Sequence, residues 1–367
     1  MAQGSGTKER GGFGTIAGAI GLSLLRDWRR RRQAGEGAGE GNLDPARGHR
    51  ADVPAEIPAQ GWKEVLKRVI GEIGNDHVLL VAAGVTFYAI LALFPALAAL
   101  VSVYGLFADP ASIADHVAAL EGVLPGGAVT LIGDQLESLA SGSDAGHGLT
   151  FVIGLLASLW SANGGMKSIF EALNIAYEER ETRGFVRKTL TSLAFTLGGL
   201  LFVIVAIGGV VAIPALIESL ALGSLVETLL NWLRWPVMLA VIIGFIAVLY
   251  RYGPSRAPAR WRWITWGSVS AGVFWLVLSV LFSWYVANFG SYNATYGSLG
   301  AAIGFMTWIW LSTVVIIAGA ELNSELEHQT AQDTTTGPEA PMGQRGAVMA
   351  DRTVGGPKRA AKRGDSL

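Results

Sequence analysis

Glu321 follows the apolar run Val314-Val315-Ile316-Ile317-Ala318-Gly319-Ala320, and a carboxylate at the end of such a run has two uses. It can hold a proton or pair with Lys167 or a loop arginine, since ionised groups at membrane depth are costly without a partner. Alternatively it is the wet end of a helix, with Asn323 beside it. A second set is Asn163, Lys167, Glu171 and Asn174, which would line the inner mouth of a polar cavity. The competing reading is a helix from Lys167 to Tyr177 lying flat on the inner face. Its apolar stripe is then Ile169, Leu173 and Tyr177, with Lys167 and Glu171 weakly paired four residues apart. The third set, Tyr292, Asn293, Tyr296 and Ser298, is rich in hydroxyl and amide groups without charge. It suits contact with a headgroup or sugar, or the pinning of a hairpin turn.

Several chemistries are excluded. The chain has no cysteine, so disulfides, thiolate catalysis and zinc ribbons are out. Its five histidines, His49, His77, His116, His147 and His328, include no two within 20 residues of each other. A nuclease needs clustered His and Asp ligands, or an acid–base pair beside a basic groove, and neither is visible. The net charge of -1 gives no sign of a nucleic-acid partner. No catalytic, metal or cofactor site is therefore expected.

The elements that must position these residues are membrane helices. Only 16% of the 367 residues are charged, against about 25% in a soluble domain, and from Trp263 to Ala320 not one is. That run holds two bilayer spans of about 20 residues each. Six spans are predicted in all: Val78 to Phe107, Leu149 to Gly165, Thr189 to Ile213, Trp235 to Tyr250, Trp263 to Val286 and Leu299 to Ala320. The first is over-long and contains Pro95, which removes a backbone hydrogen bond and predicts a kink or break there. The fourth is short and has to recruit Leu229 to Leu233. Gly300 and Gly304 form a small-residue face suited to helix packing.

Lysine and arginine alternate with each crossing. Loop one, Ala108 to Gly148, has six acids and no Lys or Arg; the next carries Lys167, Arg180, Arg183, Arg187 and Lys188. The third has only Arg234, the fourth Arg251, Arg256, Arg260 and Arg262, and the fifth none. Positive loops stay inside, so both termini are expected in the cytoplasm. Loop one also shows two apolar stripes, Ile113, Val117, Leu120, Leu124 and Val129, Ile132, Leu136, Leu139, predicting two amphipathic outer helices. Residues 1–60 read as a basic, Gly-rich disordered extension, with Phe13 to Leu25 and the arginines after it as an interfacial anchor or a solvated tail. Residues 329–367 read as a disordered tail, leaving 61–328 as the membrane domain.

Four motifs on this pattern carry a resemblance. They are Ala82-Ala83-Gly84-Val85-Thr86-Phe87-Tyr88 running on to Leu93-Phe94-Pro95, then Leu173-Asn174-Ile175-Ala176-Tyr177 with Arg180 and Arg183 after it. Ser291 to Gly300 and Gly319-Ala320-Glu321-Leu322-Asn323 complete the set. From Trp62 to about His328 the chain resembles the YihY / BrkB family of bacterial inner-membrane proteins. The resemblance implies an all-α, polytopic protein of the plasma membrane, linked in other members to serum resistance and envelope-lipid export, with an old ribonuclease label on some. Tyr88, Pro95, Tyr177 and Asn323 join the candidate residues through these motifs. Two functions follow as expectations: a transporter or flippase for a lipid or other amphiphile, or a non-transporting scaffold that recruits envelope machinery. Expected partners are membrane lipids, with a homo-oligomer or envelope-assembly proteins beside them.

Overall fold

The structure, a computed structural model, describes residues 44–104, 148–219, 224–289 and 298–354. Among these it is all-helical but for one antiparallel bridge between Ala259 and Thr335. The long helices are α1 (Ala59–Asn75), α2 (Val78–Tyr104), α3 (Gly148–Ala176), α4 (Phe185–Ser219), α5 (Ser224–Tyr252), α6 (Trp261–Phe289) and α7 (Ser298–Gln329). Four described segments are long and apolar enough to cross a membrane: Phe185–Ala206, Thr228–Tyr252, Trp261–Val286 and Ala302–Gln329. The bent pair α1–α2 makes a fifth if taken as one span. Five of the six apolar runs in the sequence fall within α3 to α7, and the first lies in α2 as far as Tyr104, where the described residues end. Leu229 to Leu233 is helical, so α5 gains the length that Trp235 to Tyr250 lacked.

Large apolar side chains stand exposed along these helices, among them Leu80 and Phe87 on α2, Leu201 on α4, and Phe274 and Leu281 on α6. A soluble surface does not carry so continuous an apolar belt; hydrocarbon is its natural neighbour. The buried core gathers toward one end of the bundle, where Phe170, Leu173 and Tyr177 of the α3 end meet Ile246 and Tyr250 of α5, Ile264 of α6 and Ile317 of α7.

The first membrane element is interrupted at its start, and no break occurs at Pro95. α2 continues through Pro95 to Tyr104. The break comes earlier, at Asp76-His77, where α1 and α2 meet at 59°. His77 has φ 50, a left-handed conformation that ends one helix, while its carbonyl accepts from Leu80 and Val81 to start the next. A proline inside a membrane helix costs one hydrogen bond that neighbouring groups can restore; a residue at positive φ cannot continue the helix at all.

α6 and α7 cross on glycine. A Cβ on Gly319 would stand 2.5 Å from the Tyr250 hydroxyl and 2.8 Å from the Gly267 carbonyl. No small-residue contact is seen at Gly304 among the described residues, where nothing lies within 4 Å of a Cβ. Gly319→Ala should therefore lower stability by about 1–3 kcal/mol through overpacking. Gly304→Ala should be neutral or mildly stabilising, as a glycine-to-alanine change in an open helix site is. Thermal unfolding of the purified variants, followed by size-exclusion of the surviving protein, checks both.

Parts of the two stretches expected to be disordered are folded. Residues 44–58 form two short 3-10 turns, Pro45–Arg47 and Pro54–Glu56, and residues 330–354 form a strap across the end of the bundle. The reason is that other elements satisfy their backbones. Gln329 Nε2 donates to the Arg47 carbonyl at 2.7 Å, Thr330 Oγ1 to Ala51 at 2.7 Å, and Ala331 N to His49 at 2.9 Å. The Arg345 guanidinium donates to the carbonyls of Ala331, Gln332, Ala340 and Ala350 at 2.7–3.1 Å. Ala347, Met349 and Ala350 supply a small buried apolar patch. The two amphipathic helices expected in loop one, and residues 1–43 and 355–367, lie outside the described residues.

Candidate functional site

The last two turns of α7 form a polar hub. Every residue from Glu321 to Glu327 is buried, which is unusual for a run containing three glutamates. Glu321 is 1% exposed, so the wet-end reading does not hold for it. Residues 44–58 and the strap close over what would otherwise be a solvated helix end.

Helical periodicity divides the hub into two faces. Glu321, Glu325 and His328 face the α1–α2 junction. Arg68 of α1 pairs with the Glu325 carboxylate through Nε and donates to Gln329 Oε1 at 2.7 Å. His328 Nδ1 lies 3.6 Å from the same carboxylate. Glu321 has Asp76 and Glu72 as acidic neighbours at the bend. Its Oε1 is buried without a hydrogen-bond partner among the described residues, which sets it apart from Glu325 and Glu327.

Asn323 and Glu327 occupy the other face. Asn323 Oδ1 accepts from the Gly267 amide at 2.8 Å, securing the α6–α7 crossing. Glu327 and Arg256 form a two-pronged pair at 3.1 and 2.5 Å, and their side chains are 0% and 2% exposed. Thr334 of the strap donates to the same carboxylate at 2.7 Å. The Arg256 guanidinium stacks 5.0 Å over the Tyr177 ring, a cation–π contact in a dry setting. Burial pushes the Tyr177 phenol above its usual range, so it stays neutral beside Asn323.

Asn174 shows what the motif around Tyr177 does. Its Oδ1 accepts from the Ser255 amide at 2.7 Å and its Nδ2 donates to Glu181 at 3.3 Å. It thereby holds the α5–α6 turn against the end of α3 and presents Arg256 to Glu327. The Arg183 guanidinium grips Glu181 at 2.8 Å and holds that carboxyl down to about 2. Asn174→Ala leaves the buried Ser255 N–H without an acceptor and should cost about 1–3 kcal/mol. Thermal unfolding in detergent reads this, and Asn174→Asp, which keeps the acceptor, should recover part of the loss.

The remaining expected residues do not join the hub. Asn163 is buried between α3 and α4, where Thr196 donates to it at 3.4 Å, and its Nδ2 has no partner among the described residues. Lys167 and Glu171 do not pair with each other. Lys167 Nζ sits 5.4 Å over Trp160 and 5.5 Å over Phe185, while Glu171 is taken by Lys188, whose side chain reaches from α4. Tyr88 is exposed on α2 with its ring edge-on to Phe87 at 5.5 Å; Pro95 lies within the same helix. Tyr292, Asn293 and Tyr296 lie outside the described residues.

Sequence reasoning missed Arg68, Asp76, Glu325 and Glu327 as site residues, and saw Arg256 as a topology charge alone. One signal was present. Glu321, Glu325 and His328 repeat at i, i+4, i+7, and Asn323 and Glu327 at i, i+4, so two polar stripes follow an apolar span. The partners of those stripes come from positions far away in the chain.

Comparison with known proteins fits this architecture. A "Putative ribonuclease-like protein" of Bacillus subtilis is 32% identical over 253 residues, covering 67% of this chain and 88% of the relative. A "UPF0761 membrane protein" of Alkalilimnicola ehrlichii is 30% identical over 80% of this chain, which spans 64% of that protein. One from Ralstonia nicotianae is 27% identical over 69% of this chain, which spans 56% of it. No solved structure matches. The family model described as "Virulence factor BrkB" matches residues 69–343, from α1 through the hub and into the strap, and the chain belongs to that family.

Proposed function

We propose that this chain is a six-span plasma-membrane protein, both termini cytoplasmic, that moves a lipid or another amphiphile during envelope maintenance. The observation that carries the reading is the junction of α1 and α2, bent by 59° and facing Glu321, a carboxylate 1% exposed with one oxygen unpartnered. Interrupted helices beside a polar group are how transporters build a site within the membrane, and buried ionisable groups there suggest function. The alternation of basic loops supports the topology. Orientation is checked by labelling single cysteines at Ser141 and Ser255, expected to react from opposite sides.

Proteoliposomes carrying fluorescent phospholipid test the transport reading. Lipid movement faster than in empty vesicles, and slowed by Glu321→Gln, is the expected result. Movement no faster than in empty vesicles overturns it. The strap supports a second reading, a scaffold: Arg345 and Glu327 hold residues 330–354 in place across the bundle end, a prepared surface for an envelope-assembly protein. Full rescue of a deletion phenotype by a chain lacking the strap would dismiss it. The ribonuclease-like name belongs to the Bacillus subtilis relative; the reading advanced for this chain is non-enzymatic, and among its described residues no group of three His, Cys, Asp or Glu side chains is placed to hold a metal.

A further inference from the structure

The two faces of α1 are treated differently by the fold. Gly61, Val65 and Val69 are buried, the two valines against Trp263, Leu322 and Leu326. The opposite face carries Lys63, Leu66, Lys67, Ile70 and Gly74, all exposed. At about 100° per residue these five fall within an arc of roughly 100°. Leu66 is 49% and Ile70 72% exposed, too much apolar surface on one short helix to face water by design. No acid shares the arc. Glu64 is turned toward Arg47 at 3.5 Å, and Glu72 toward Asn75 at 3.5 Å.

Three observations say what covers this face. First, α1 leads directly into α2, whose first residues Leu79 and Leu80 are exposed, so the apolar surface of Leu66 and Ile70 continues into the lipid-facing belt. Second, the Trp62 ring meets Trp266 edge-on at 5.3 Å. Trp266 lies in the first turns of the Trp261–Val286 span, at the depth where indole rings settle between headgroup and hydrocarbon. That contact sets the height of α1 at the membrane boundary. Third, the two lysines flank the apolar pair with no counter-charge at salt-bridge distance among the described residues, the pattern of a helix lying in an anionic interface.

We propose that α1 lies in the headgroup layer at this end of the bundle, with Leu66 and Ile70 among the acyl chains and Lys63 and Lys67 on the phosphates of anionic phospholipids. The role is independent of whether the protein moves a substrate. It makes α1 a lipid-reading arm attached, through Arg68 and Glu325, to the hub.

The absence of native cysteine makes the test direct. Leu66→Cys, Ile70→Cys and, on the exposed strap, Gly343→Cys are spin-labelled in the full chain. Each is reconstituted in phosphatidylcholine vesicles with and without phosphatidylglycerol. Oxygen partitions into hydrocarbon and a nickel chelate into water, so the ratio of their collision rates reports depth. The expected result is an oxygen-dominated ratio at 66 and 70 and a nickel-dominated one at 343. Phosphatidylglycerol should deepen positions 66 and 70. In the Lys63→Gln, Lys67→Gln background that gain should fall by roughly fivefold per lysine in equilibrium preference. Nickel reaching 66 and 70 as freely as 343 overturns the proposal. So does exclusion of both reagents that is relieved on dilution into excess lipid, which would place a second copy on the face. A response to phosphatidylglycerol unchanged by the lysine substitutions overturns the headgroup assignment. Melting of each labelled chain at the temperature of the parent shows that the fold is intact.

Discussion

Arg256→Ala should cost the folded protein about 3–5 kcal/mol, the penalty for stranding one member of a buried ion pair. Arg256 and Glu327 have side chains 2% and 0% exposed, so neither can turn to water when its partner is removed. Thr334 gives the abandoned carboxylate a single neutral hydrogen bond, and Tyr177 loses the guanidinium stacked on its ring. Glu327→Ala should be comparably damaging for the converse reason. The double variant Arg256→Met, Glu327→Leu should recover most of the loss, because apolar replacements of similar volume remove both desolvation costs together. Thermal or denaturant unfolding in detergent, analysed as a double-mutant cycle, measures the coupling. A single variant as stable as the parent would mean that the pair is not formed in the folded protein.

The strap should loosen as pH rises from 5 to 8. Burial pushes the Glu179 carboxyl from its ordinary 4.5 up to about 7, even though the Val348 N–H donates to it at 2.7 Å and Arg256 favours its charge. Glu327 and Asp351 add to the upward push. A carboxyl whose folded value is raised contributes stability that is complete below its unfolded value and is lost as pH passes its folded one. Here the loss falls between about 4.5 and 7. A displacement of this size corresponds to roughly 3 kcal/mol. It is felt at Val348, because the ionised carboxylate gains by moving out to water and leaving that amide. Hydrogen exchange of residues 345–351, corrected for intrinsic pH dependence, should lose protection across this range. Glu179→Gln should flatten the profile and leave the strap docked. Protection that grows with pH would show that Arg256 keeps Glu179 ionised in place.

The parts of the fold legible in the sequence are those whose physics is local. An apolar run about 20 residues long declares a helix by itself, and the described part of each of the six runs is helical. α1 was not foreseen, because its lysines and glutamates lie on both sides of a narrow stripe and the apolar residues serve two neighbours, protein and lipid. Proline is the familiar breaker, yet the helix runs on through Pro95 and is interrupted at His77, where φ is positive. The hub was half legible. Glu321, Asn323, Asn174 and Tyr177 were singled out and do converge on one end of the bundle. The hub's ion pairs, Arg68 with Glu325 and Arg256 with Glu327, join positions 257 and 71 residues apart, a distance that no periodicity spans. The strap escaped notice because its composition lacks a core of its own; Arg345 and a few alanines suffice once the helices provide the rest.

The stitch between residues 47–51 and 329–331 also sets a clock. Gln329 reaches the Arg47 carbonyl across 282 positions of chain, and a ribosome adding about 5–20 residues per second needs roughly 15–55 seconds between making one and the other. For that interval Arg68 waits beside the membrane without Glu325, and α1 has no α7 to lie against. The amino-terminal segment therefore closes last although it is made first. A nascent chain that stalls before α7 leaves α1 as an open, half-apolar helix, its buried stripe of Val65 and Val69 still uncovered.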